Sequence, residues 1–512
     1  MSDEKNIAVT ENVTHTEISI DQVLPNYGKP WYRVPHLLKL NLSLLMPILC
    51  VTASGYDLGL FNGLLILPQF FEYFDEPSSP MISVLICGLI FGALLGYGPA
   101  VYLCDHVGRK KAILVSTVGA TVFVVLQAAS QNYAMLLAFR ILIAAFGISS
   151  TIAGPLLVSE LAYPTHRGVV TAVYNTFNGL GGVVVSCITY GTYHWTNNSS
   201  WSWRMPIAFQ CLFPLIQLAL YWYTPESPRY LVKAGKLEEA RNMLIKWHAG
   251  GNLETGGALV EFEFAEICKA VHGEEIQKKS RFSEFVKSKA NFHRLCIVVI
   301  LSFTMQMSGN GLTSYYLTYV LGSIGVTNPS TQLVYNIAIA VYSLGVSVIF
   351  GVIAGRLPRR RTFLFGLSSM LVCFIIWTAL SALNVEKHFL DKSLSRGVLA
   401  MIFLVGAAYS VALTGLPFLY LTEILPFHLR AKGMVIFSFV GVSCSAYNGF
   451  VNNIAILAIG WKYYILFCCI LVIEILAVYF VFPETYGYTL EETAVVFGDD
   501  PVLPEGSKDI DQ

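Results

Sequence analysis

Long apolar runs separated by polar loops dominate this chain, and twelve of these runs are about 20 residues long. That is the length a helix needs to cross the roughly 30 Å hydrocarbon core of a bilayer. Such runs are expected to be helices, because a chain in lipid must satisfy its own backbone hydrogen bonds. They cover residues 40–62, 82–103, 112–131, 134–157, 168–192, 205–223, 293–320, 333–356, 362–383, 397–421, 432–456 and 462–482.

A polar stretch at residues 224–292 divides the runs into two sets of six. The pattern therefore predicts an all-α membrane protein with twelve transmembrane helices, in an N-terminal half (40–223) and a C-terminal half (293–482). The stretch between the halves is expected to form a cytoplasmic loop of short amphipathic helices. Residues 1–39 and 483–512 are polar tails.

Composition supports the membrane assignment and excludes several other classes. Charged residues make up 13% of the chain, against roughly 25% in soluble proteins. Basic and acidic residues both number 33, so net charge predicts no nucleic-acid partner. The eleven cysteines lack metal-ligand spacing, and no HExxH, GxSxG or P-loop pattern is present. We therefore expect no metal, no cofactor and no enzymatic activity.

The distribution of Lys and Arg among the loops predicts the orientation. Loops on one side, together with Arg294, hold 22 basic residues, and the opposite loops hold five. Because cytoplasmic loops carry the excess of Lys and Arg, both termini are expected in the cytoplasm. An external loop then contains two overlapping glycosylation acceptors, at Asn197 and Asn198, which can equally be unused.

The two halves repeat each other in sequence. "SELAYPTHRG" and "TEILPFHLRAKG" each place a Glu seven residues before an Arg, giving the pairs Glu160/Arg167 and Glu423/Arg430. "DHVGRKK" and "GRLPRRR" are basic turns after the second helix of each half. Internal duplication is typical of secondary transporters, which bind substrate between the halves. These charges are candidates for ion pairs that gate the cytoplasmic side, although basic turns also serve as topology signals and headgroup contacts.

These motifs resemble those of the sugar porter branch of the major facilitator superfamily, over roughly residues 40–492. "GYDLG", "PESPRYL" and "PETYGYTLEE" carry much of the resemblance, and "SWRMP", "SGNGLTSYY" and "VYNTF" look closest to fungal lactose and cellodextrin permeases. The resemblance implies alternating access, a sugar substrate, a monomer surrounded by lipid, and the plasma membrane as the default location. It extends the candidate gating set to Asp105, Arg109, Glu226, Arg229, Arg356, Arg360 and Glu484.

Asp57 and Arg140 are the two charges set well inside apolar runs of the N-terminal half. Either charge alone is costly in a bilayer, and pairing makes both tolerable. The resemblance implies a role, since proton-coupled members carry Asp at this position and several facilitative members carry Asn. We therefore expect Asp57 to carry a proton and Arg140 to be the partner whose distance switches it. The alternative is a static salt bridge.

Amides inside apolar runs are candidates for binding sugar hydroxyls, and aromatic rings are candidates for stacking on the sugar. The resemblance assigns ligand positions to Asn175 and Gln306, and it aligns Phe418 with a stacking Trp. The alternative for each amide is an interhelical hydrogen bond. The predicted substrate residues are Asn175, Asn178, Gln306, Asn310, Tyr315, Tyr316, Phe418 and Asn448.

Three functions remain open from the sequence. The first is proton-coupled import of a hexose or disaccharide. The second is a facilitative uniporter or an exporter of a polyol or another small metabolite. The third is a sugar receptor that does not transport, which the short stretch of about 30 residues after the last run disfavours. Glu474, in the last run, has no assigned role.

Overall fold

The computed structural model describes residues 20–196, 199–277, 282–322, 324–353, 356–388, 391–487 and 496–497. Within these ranges the regular structure is entirely helical. The predicted glycosylation acceptors, Asn197 and Asn198, lie outside the described residues. The side chains of Tyr315 and Tyr316 also lie outside them, although both residues belong to a described helix.

Helices of the N-terminal half follow the predicted apolar runs, preceded by one short helix in the tail. They are α1 (Ile20–Val23), α2 (Pro35–Ser43), α3 (Leu45–Leu64), α4 (Pro68–Tyr73), α5 (Ser79–Tyr102), α6 (Arg109–Ala128), α7 (Tyr133–Leu161), α8 (Pro164–Tyr174), α9 (Phe177–Trp195), α10 (Trp201–Phe209) and α11 (Leu212–Tyr221).

The polar stretch between the halves is helical, as expected, but α14 is longer than the short helices we predicted. The stretch contains α12 (Pro228–Lys233), α13 (Leu237–Trp247), α14 (Leu253–Gln277) and α15 (Glu284–Lys287). The C-terminal half contains α16 (Lys289–Met307), α17 (Asn310–Gly322), α18 (Pro329–Ile353), α19 (Arg359–Glu386), α20 (Lys392–Tyr409), α21 (Leu416–Ile424), α22 (Phe427–Ile459) and α23 (Tyr463–Val481).

Ten helical stretches of the described residues are long and apolar enough to cross a membrane. The difference from the twelve predicted runs has two sources. The run 168–192 is broken between α8 and α9, and the last two runs fall within one continuous stretch, Lys432–Val481. Large apolar side chains such as Leu95, Val169 and Phe480 are more than 65% exposed on the outside of the bundle. Lipid is the solvent that such an exterior requires.

Several predicted helices are interrupted near the middle of the bundle. The break between α16 and α17 falls at Gly309, whose φ of +97° is accessible to glycine and strained for other residues. The break between α8 and α9 falls at Asn175 and Thr176. Irregular backbone at membrane depth is tolerated where it lines a cavity, so these breaks indicate where a polar site lies.

Small residues allow α3 and α9 to pack with their backbones in contact. A Cβ added to Gly55 would collide with the backbone carbonyl of Asn178, and one added to Gly181 would collide with that of Thr52. The glycine-rich segment 178–184 therefore serves close helix packing. This contact also holds Asn178 at a fixed position beside α3.

Hydrogen bonds join the two halves at the end of the bundle away from the basic loops. Asn453 Nδ2 donates to the Ser79 carbonyl at 2.9 Å, and Asn336 Nδ2 donates to Ser186 Oγ at 3.2 Å. The His194 ring is 3.1 Å from Ser330 Oγ. These contacts lie along two packed helix pairs, α5 with α22 and α9 with α18.

Candidate functional site

A central cavity of about 520 Å³ lies between the two halves, where the helices are broken. Its walls come from α3, the break between α8 and α9, and α9 of the N-terminal half, and from α16, α17, α18 and α20 of the C-terminal half. Four of the predicted substrate residues line it: Asn175, Asn178, Gln306 and Asn310. The structure therefore brings amides from both halves around one cavity of a size suited to a small molecule.

Asn448 supports this cavity from behind. Its side chain is 1% exposed, and its Nδ2 donates to the Gln306 backbone carbonyl at 2.6 Å. Ser445 Oγ donates to Gln306 Oε1 at 3.0 Å. The interhelical hydrogen bond that we considered as the alternative for each amide is therefore what Asn448 makes in this structure.

Phe418 lies outside the described lining of the central cavity. It is 37% exposed and packs edge-on against Phe437, with ring centroids 5.6 Å apart. The aromatic residue that lines the cavity from this part of the chain is Tyr409, whose hydroxyl donates to the Met305 carbonyl at 3.0 Å. The helix is interrupted between the two residues by a π-helical turn at Ser410–Thr414, which shifts the register.

Two further amides line the cavity and were missed from the sequence. Asn336 lies on α18 and donates to Ser186 Oγ, and Asn62 lies on α3 and donates to the Thr313 carbonyl at 3.3 Å. Both are amides inside apolar runs, which is the signal that identified the other candidates. Each contacts the opposite half, so these residues connect the cavity wall to the contacts between halves.

Asp57 lies in a separate cavity of about 220 Å³ inside the N-terminal half. Its carboxylate accepts a hydrogen bond from Gln210 Nε2, at the end of α10. Hydroxyl and amide side chains also line this cavity, among them Ser54, Thr117 and Gln217. The acid therefore lies beside a mostly apolar cavity that contains several polar side chains.

Arg140 is buried, its charge interacts with that of Asp57, and it makes two further contacts. Its Nε donates to the Leu85 carbonyl at 2.8 Å, and its guanidinium carbon lies 3.6 Å from the centre of the Phe61 ring. A cation over an aromatic face is stabilised by the ring quadrupole. The Asp57 carboxylate therefore interacts with Gln210 through a hydrogen bond and with Arg140 through its charge.

At the basic end of the N-terminal half, a buried ion pair joins the start of α6 to the end of α7. Arg109 Nε lies 3.2 Å from Glu160 Oε2, and Ser227 donates its hydroxyl to the same carboxylate. Glu226 Oε1 accepts the backbone N–H of Lys110 at 3.0 Å. Burial raises the pKa of the Glu226 carboxyl above its usual range, and these backbone donors oppose that effect.

The C-terminal half repeats this arrangement. Arg359 lies 2.8 Å from Glu423 Oε1, and Thr485 donates its hydroxyl to Glu423. Glu484 accepts the backbone N–H of Arg359 at 2.7 Å and that of Arg360 at 3.2 Å. Each half therefore carries one Arg–Glu pair, one hydroxyl donor to it and one Glu that accepts N–H groups at a helix start.

The expected pairs Glu160/Arg167 and Glu423/Arg430 are not the described ion pairs of these glutamates. A proline lies between the Glu and the Arg of each pair: Pro164 begins α8, and Pro426 directly precedes α22. The chain therefore turns between the two charges. Arg167 is exposed, and Arg430 donates to the Thr422 carbonyl at 2.9 Å.

The residue that pairs with Glu423 is Arg359. It belongs to the same basic turn as Arg356 and Arg360, but it was not among the predicted gating residues. Arg356 is exposed, whereas Arg360 contributes its backbone N–H to Glu484. Asp105 pairs with Lys233 at 3.2 Å, and Arg229 lies beside it on α12. All the described pairs join elements of the same half or its adjoining loop.

Glu474 is the second buried acid of the membrane-spanning helices. It is 2% exposed on α23, and neither carboxyl oxygen has a hydrogen-bond partner among the described residues. The eleven cysteines are free thiols, and the described residues contain no group of side chains suited to a metal.

A helical membrane protein built from two halves around a polar cavity has the architecture of a secondary transporter. A family model described as "Sugar (and other) transporter" matches residues 43–497. The MFS-type transporter criB of Aspergillus cristatus is 29% identical over 451 residues, which cover 87% of this chain and 90% of criB. The low-affinity glucose transporter HXT1 of Saccharomyces cerevisiae is 25% identical, covering 98% of this chain and 88% of HXT1.

Among solved structures, the inward open conformation of the xylose transporter XylE from E. coli matches with a TM-score of 0.72. The identity is 19%, over 90% of this chain and 99% of XylE, so this likeness shows the fold. The chain belongs to the sugar (and other) transporter family, the sugar porter branch of the major facilitator superfamily.

Proposed function

We propose that the protein imports a hexose or disaccharide together with protons, by alternating access of one central site. The observation that carries this proposal is the cavity between the halves, lined by Asn175 and Asn178 from one half and by Gln306 and Asn310 from the other. Sugar hydroxyls need donors and acceptors at several points, and amides supply both. A site made by both halves can open to either side as the halves move.

Twelve membrane-spanning helices fit the described helices. The ten apolar stretches become twelve when α8 and α9 are taken as one interrupted span and Lys432–Val481 is divided into α22 and α23. The excess of basic residues on one side supports a cytoplasmic position for that end and for both termini. The plasma membrane and a monomeric state remain the default for the family.

This conformation corresponds to an inward-facing state under that orientation. The hydrogen bonds between the halves, such as Asn453 to Ser79 and His194 to Ser330, lie at the end away from the basic loops. The likeness to the inward open conformation of XylE agrees with this assignment. The outward-facing state then requires those contacts to separate.

Proton coupling rests on Asp57. A charged Asp at bilayer depth costs roughly 2.5–3.5 kcal/mol on insertion scales. The carboxylate must therefore either be protonated or have polar partners. The cavity of about 220 Å³ around Asp57 is separate from the central one and has room for water, which a proton carrier needs. A matching solved structure is of the proton:xylose symporter XylE bound to 6-bromo-6-deoxy-D-glucose.

Gln210 adds a detail to this mechanism. In the inward-facing state its amide donates to Asp57, and the Arg140 charge also acts on this carboxylate. We propose that the distance between Arg140 and Asp57 changes during the cycle, and that the closer approach favours release of the proton, since a nearby cation favours the carboxylate. A proton gradient of two pH units and about 100 mV together supply roughly 5 kcal/mol, enough for more than thousandfold accumulation.

A facilitative uniporter is the second candidate, because the hydrogen bond from Gln210 is also what a purely structural carboxylate would make. Uptake of labelled sugar separates the two functions. Cells without their own sugar transporters would express the protein, with lactose, cellobiose, glucose and xylose tested at external pH 5 and pH 7. Accumulation above the external concentration that collapses with an uncoupler supports the symporter. Equilibration that is independent of pH supports the uniporter, and no uptake contradicts the proposed substrate class.

A further inference from the structure

A second large cavity, of about 780 Å³, lies at the basic end of the N-terminal half, away from the central site. It is enclosed by the start of α2, the start of α6, the segment after α11, and α13 of the loop between the halves. We call it the basic pocket and define it by six of its lining residues: His36, Lys39, Lys110, Trp222, Lys246 and Trp247.

Three lysines from three separate parts of the chain converge on the basic pocket. Lys39 comes from α2, Lys110 from α6 and Lys246 from α13. The described lining contains no Asp or Glu. Like charges that are brought together repel each other, so an anion bound between them stabilises this arrangement.

One acid next to the pocket, Glu226, accepts hydrogen bonds from backbone N–H groups. Glu226 follows the lining residue Pro225, and its Oε1 accepts the backbone N–H groups of Lys110 and Ser227, both at 3.0 Å. The described contact of the Lys110 ammonium is with the Tyr221 ring, 4.4 Å from its centroid. Glu226 also interacts with the Lys110 charge, so it offsets part of the positive charge of the pocket and leaves Lys39 and Lys246 without a described carboxylate in the lining.

His36 adds a hydrogen-bonding group. Its Nε2 is buried and has no hydrogen-bond partner among the described residues. Its ring packs edge-on against Tyr27, with centroids 5.3 Å apart, and lies close to Gly250 on the far side. A buried imidazole nitrogen with no partner is costly, and an anion in the pocket would supply one.

The pocket lies at the depth of lipid headgroups. Trp222 is 86% exposed and Tyr223 is 39% exposed, directly after α11, the last apolar stretch of the half. Exposed Trp and Tyr at the end of a spanning helix are typical of the membrane–water interface. Basic pockets on the cytoplasmic side of membrane helices bind phosphorylated headgroups.

We propose that the basic pocket binds a phosphate group, supplied by the headgroup of an anionic phospholipid or by free phosphate. Lys39, Lys110 and Lys246 hold the phosphate oxygens, and the His36 ring borders the bound group. A bound phosphate connects α13 to the ends of α2, α6 and α11. The ligand therefore fixes the loop between the halves against the N-terminal half.

The test uses the full chain, purified in detergent, and three probes. The probes are dioctanoyl phosphatidylinositol 4-phosphate, inorganic phosphate, and dioctanoyl phosphatidylcholine as the probe without net charge. Binding is followed by the shift in the thermal unfolding midpoint and by isothermal titration. The variant combines Lys39→Gln, Lys110→Gln and Lys246→Gln. The matched control combines Lys111→Gln, Lys269→Gln and Lys287→Gln, three exposed lysines outside the pocket lining.

We expect the pocket variant to weaken binding of the phosphoinositide at least tenfold and the control variant to change it less than twofold. Because the contacts are charged, binding should also weaken as salt rises. If inorganic phosphate binds as tightly as the lipid with the same dependence on these lysines, the pocket is a free-phosphate site. Equal binding by wild type, pocket variant and control, or no binding of either phosphate probe, overturns the proposal.

Single substitutions protect the test against misfolding of the triple variant. Lys39 and Lys246 are both exposed, so Lys39→Gln and Lys246→Gln each remove one charge without disturbing the core. Each is expected to weaken phosphoinositide binding about threefold. Full affinity in both single variants contradicts the proposed site.

Discussion

The two halves share their basic ends but differ in their interiors. At the basic end, Arg109 and Glu160 in one half correspond to Arg359 and Glu423 in the other, and Ser227 corresponds to Thr485. This repetition extends to the glutamate that accepts N–H groups at a helix start. We call this repeated set of contacts the frame of each half. Because the contacts of each frame join elements of one half or its adjoining segment, we interpret the frame as stabilising that half.

The interiors carry no such repetition. In the N-terminal half, Asp57 lines a cavity and accepts a hydrogen bond from Gln210. The C-terminal half buries Glu474 with no hydrogen-bond partner for its carboxyl oxygens among the described residues. An acid beside a cavity, with a polar partner, can exchange a proton more readily than an acid packed without one. This difference is why we propose Asp57, and not Glu474, as the proton carrier.

The largest predicted effect tests this difference between the two buried acids. Asp57→Asn should abolish sugar accumulation, so that the ratio of internal to external labelled sugar falls to about one while entry continues. Glu474→Gln should keep the wild-type ratio within about twofold, because Glu474 lines neither the central cavity nor the cavity beside Asp57 and the amide has nearly the same shape as the carboxyl. Loss of accumulation in Glu474→Gln, or normal accumulation in Asp57→Asn, would break the comparison.

Because each half contains a buried Arg–Glu pair, replacing the Arg of either pair should lower the free energy of unfolding. Removing the basic partner from a buried pair typically costs about 3–5 kcal/mol, because the acid is left uncompensated. Arg109→Ala should cost more than Arg359→Ala, since the Glu160 side chain is 10% exposed and that of Glu423 is 21% exposed. Thermal unfolding of the purified protein measures both variants.

The control for these variants is Arg167→Ala. Arg167 is exposed, so its removal should change the free energy of unfolding by less than about 0.5 kcal/mol. A cost for Arg167→Ala equal to that for Arg109→Ala would restore the pairing expected from the sequence alone.

Helix positions followed from the apolar runs, whereas the ion-pair partners could not be read from them. The seven-residue spacing of Glu160 and Arg167 spans a proline, so helical periodicity does not apply across it. The actual partner, Arg109, is 51 residues away in the chain. Likewise, Gln210 lies 153 residues from Asp57. Such pairs depend on how helices pack, which spacing along one helix does not determine.

Amides could be predicted in part. Four of the proposed substrate residues line the central cavity because polar amides inside apolar runs have few other places to lie. Asn62 and Asn336 satisfy the same rule, and the motif resemblance did not single them out. Phe418 lies outside the lining in this conformation, and the π-helical turn that precedes it is a change in register that an apolar run does not reveal.

A third prediction sharpens the account of the central cavity, which is where the halves meet. Asn336→Ala removes an amide from the lining, and a lost hydrogen bond of about 1.5 kcal/mol corresponds to roughly tenfold in affinity. We expect the sugar concentration for half-maximal uptake to rise about five- to tenfold. Phe418→Ala, outside the lining, should change it less than twofold. The reverse ranking would return the stacking role to Phe418.

The smallest predicted effect concerns pH and the basic end of the N-terminal half. Because burial raises the pKa of Glu226 above its ordinary value of 4.5, the folded protein holds this proton more tightly than the unfolded chain does. Its contribution to stability is therefore full below pH 4.5 and is lost as pH rises through the raised pKa. Glu226→Gln keeps an acceptor for the Lys110 N–H, so it should flatten this decline without unfolding the cluster. Thermal unfolding between pH 4 and pH 8 measures the slope, with the exposed Glu239→Gln as control. Glu484→Gln, the corresponding variant of the C-terminal half, is measured in the same series. It shows whether removing the acid changes the dependence of stability on pH equally in the two halves. An unchanged slope in Glu226→Gln would mean that another group titrates.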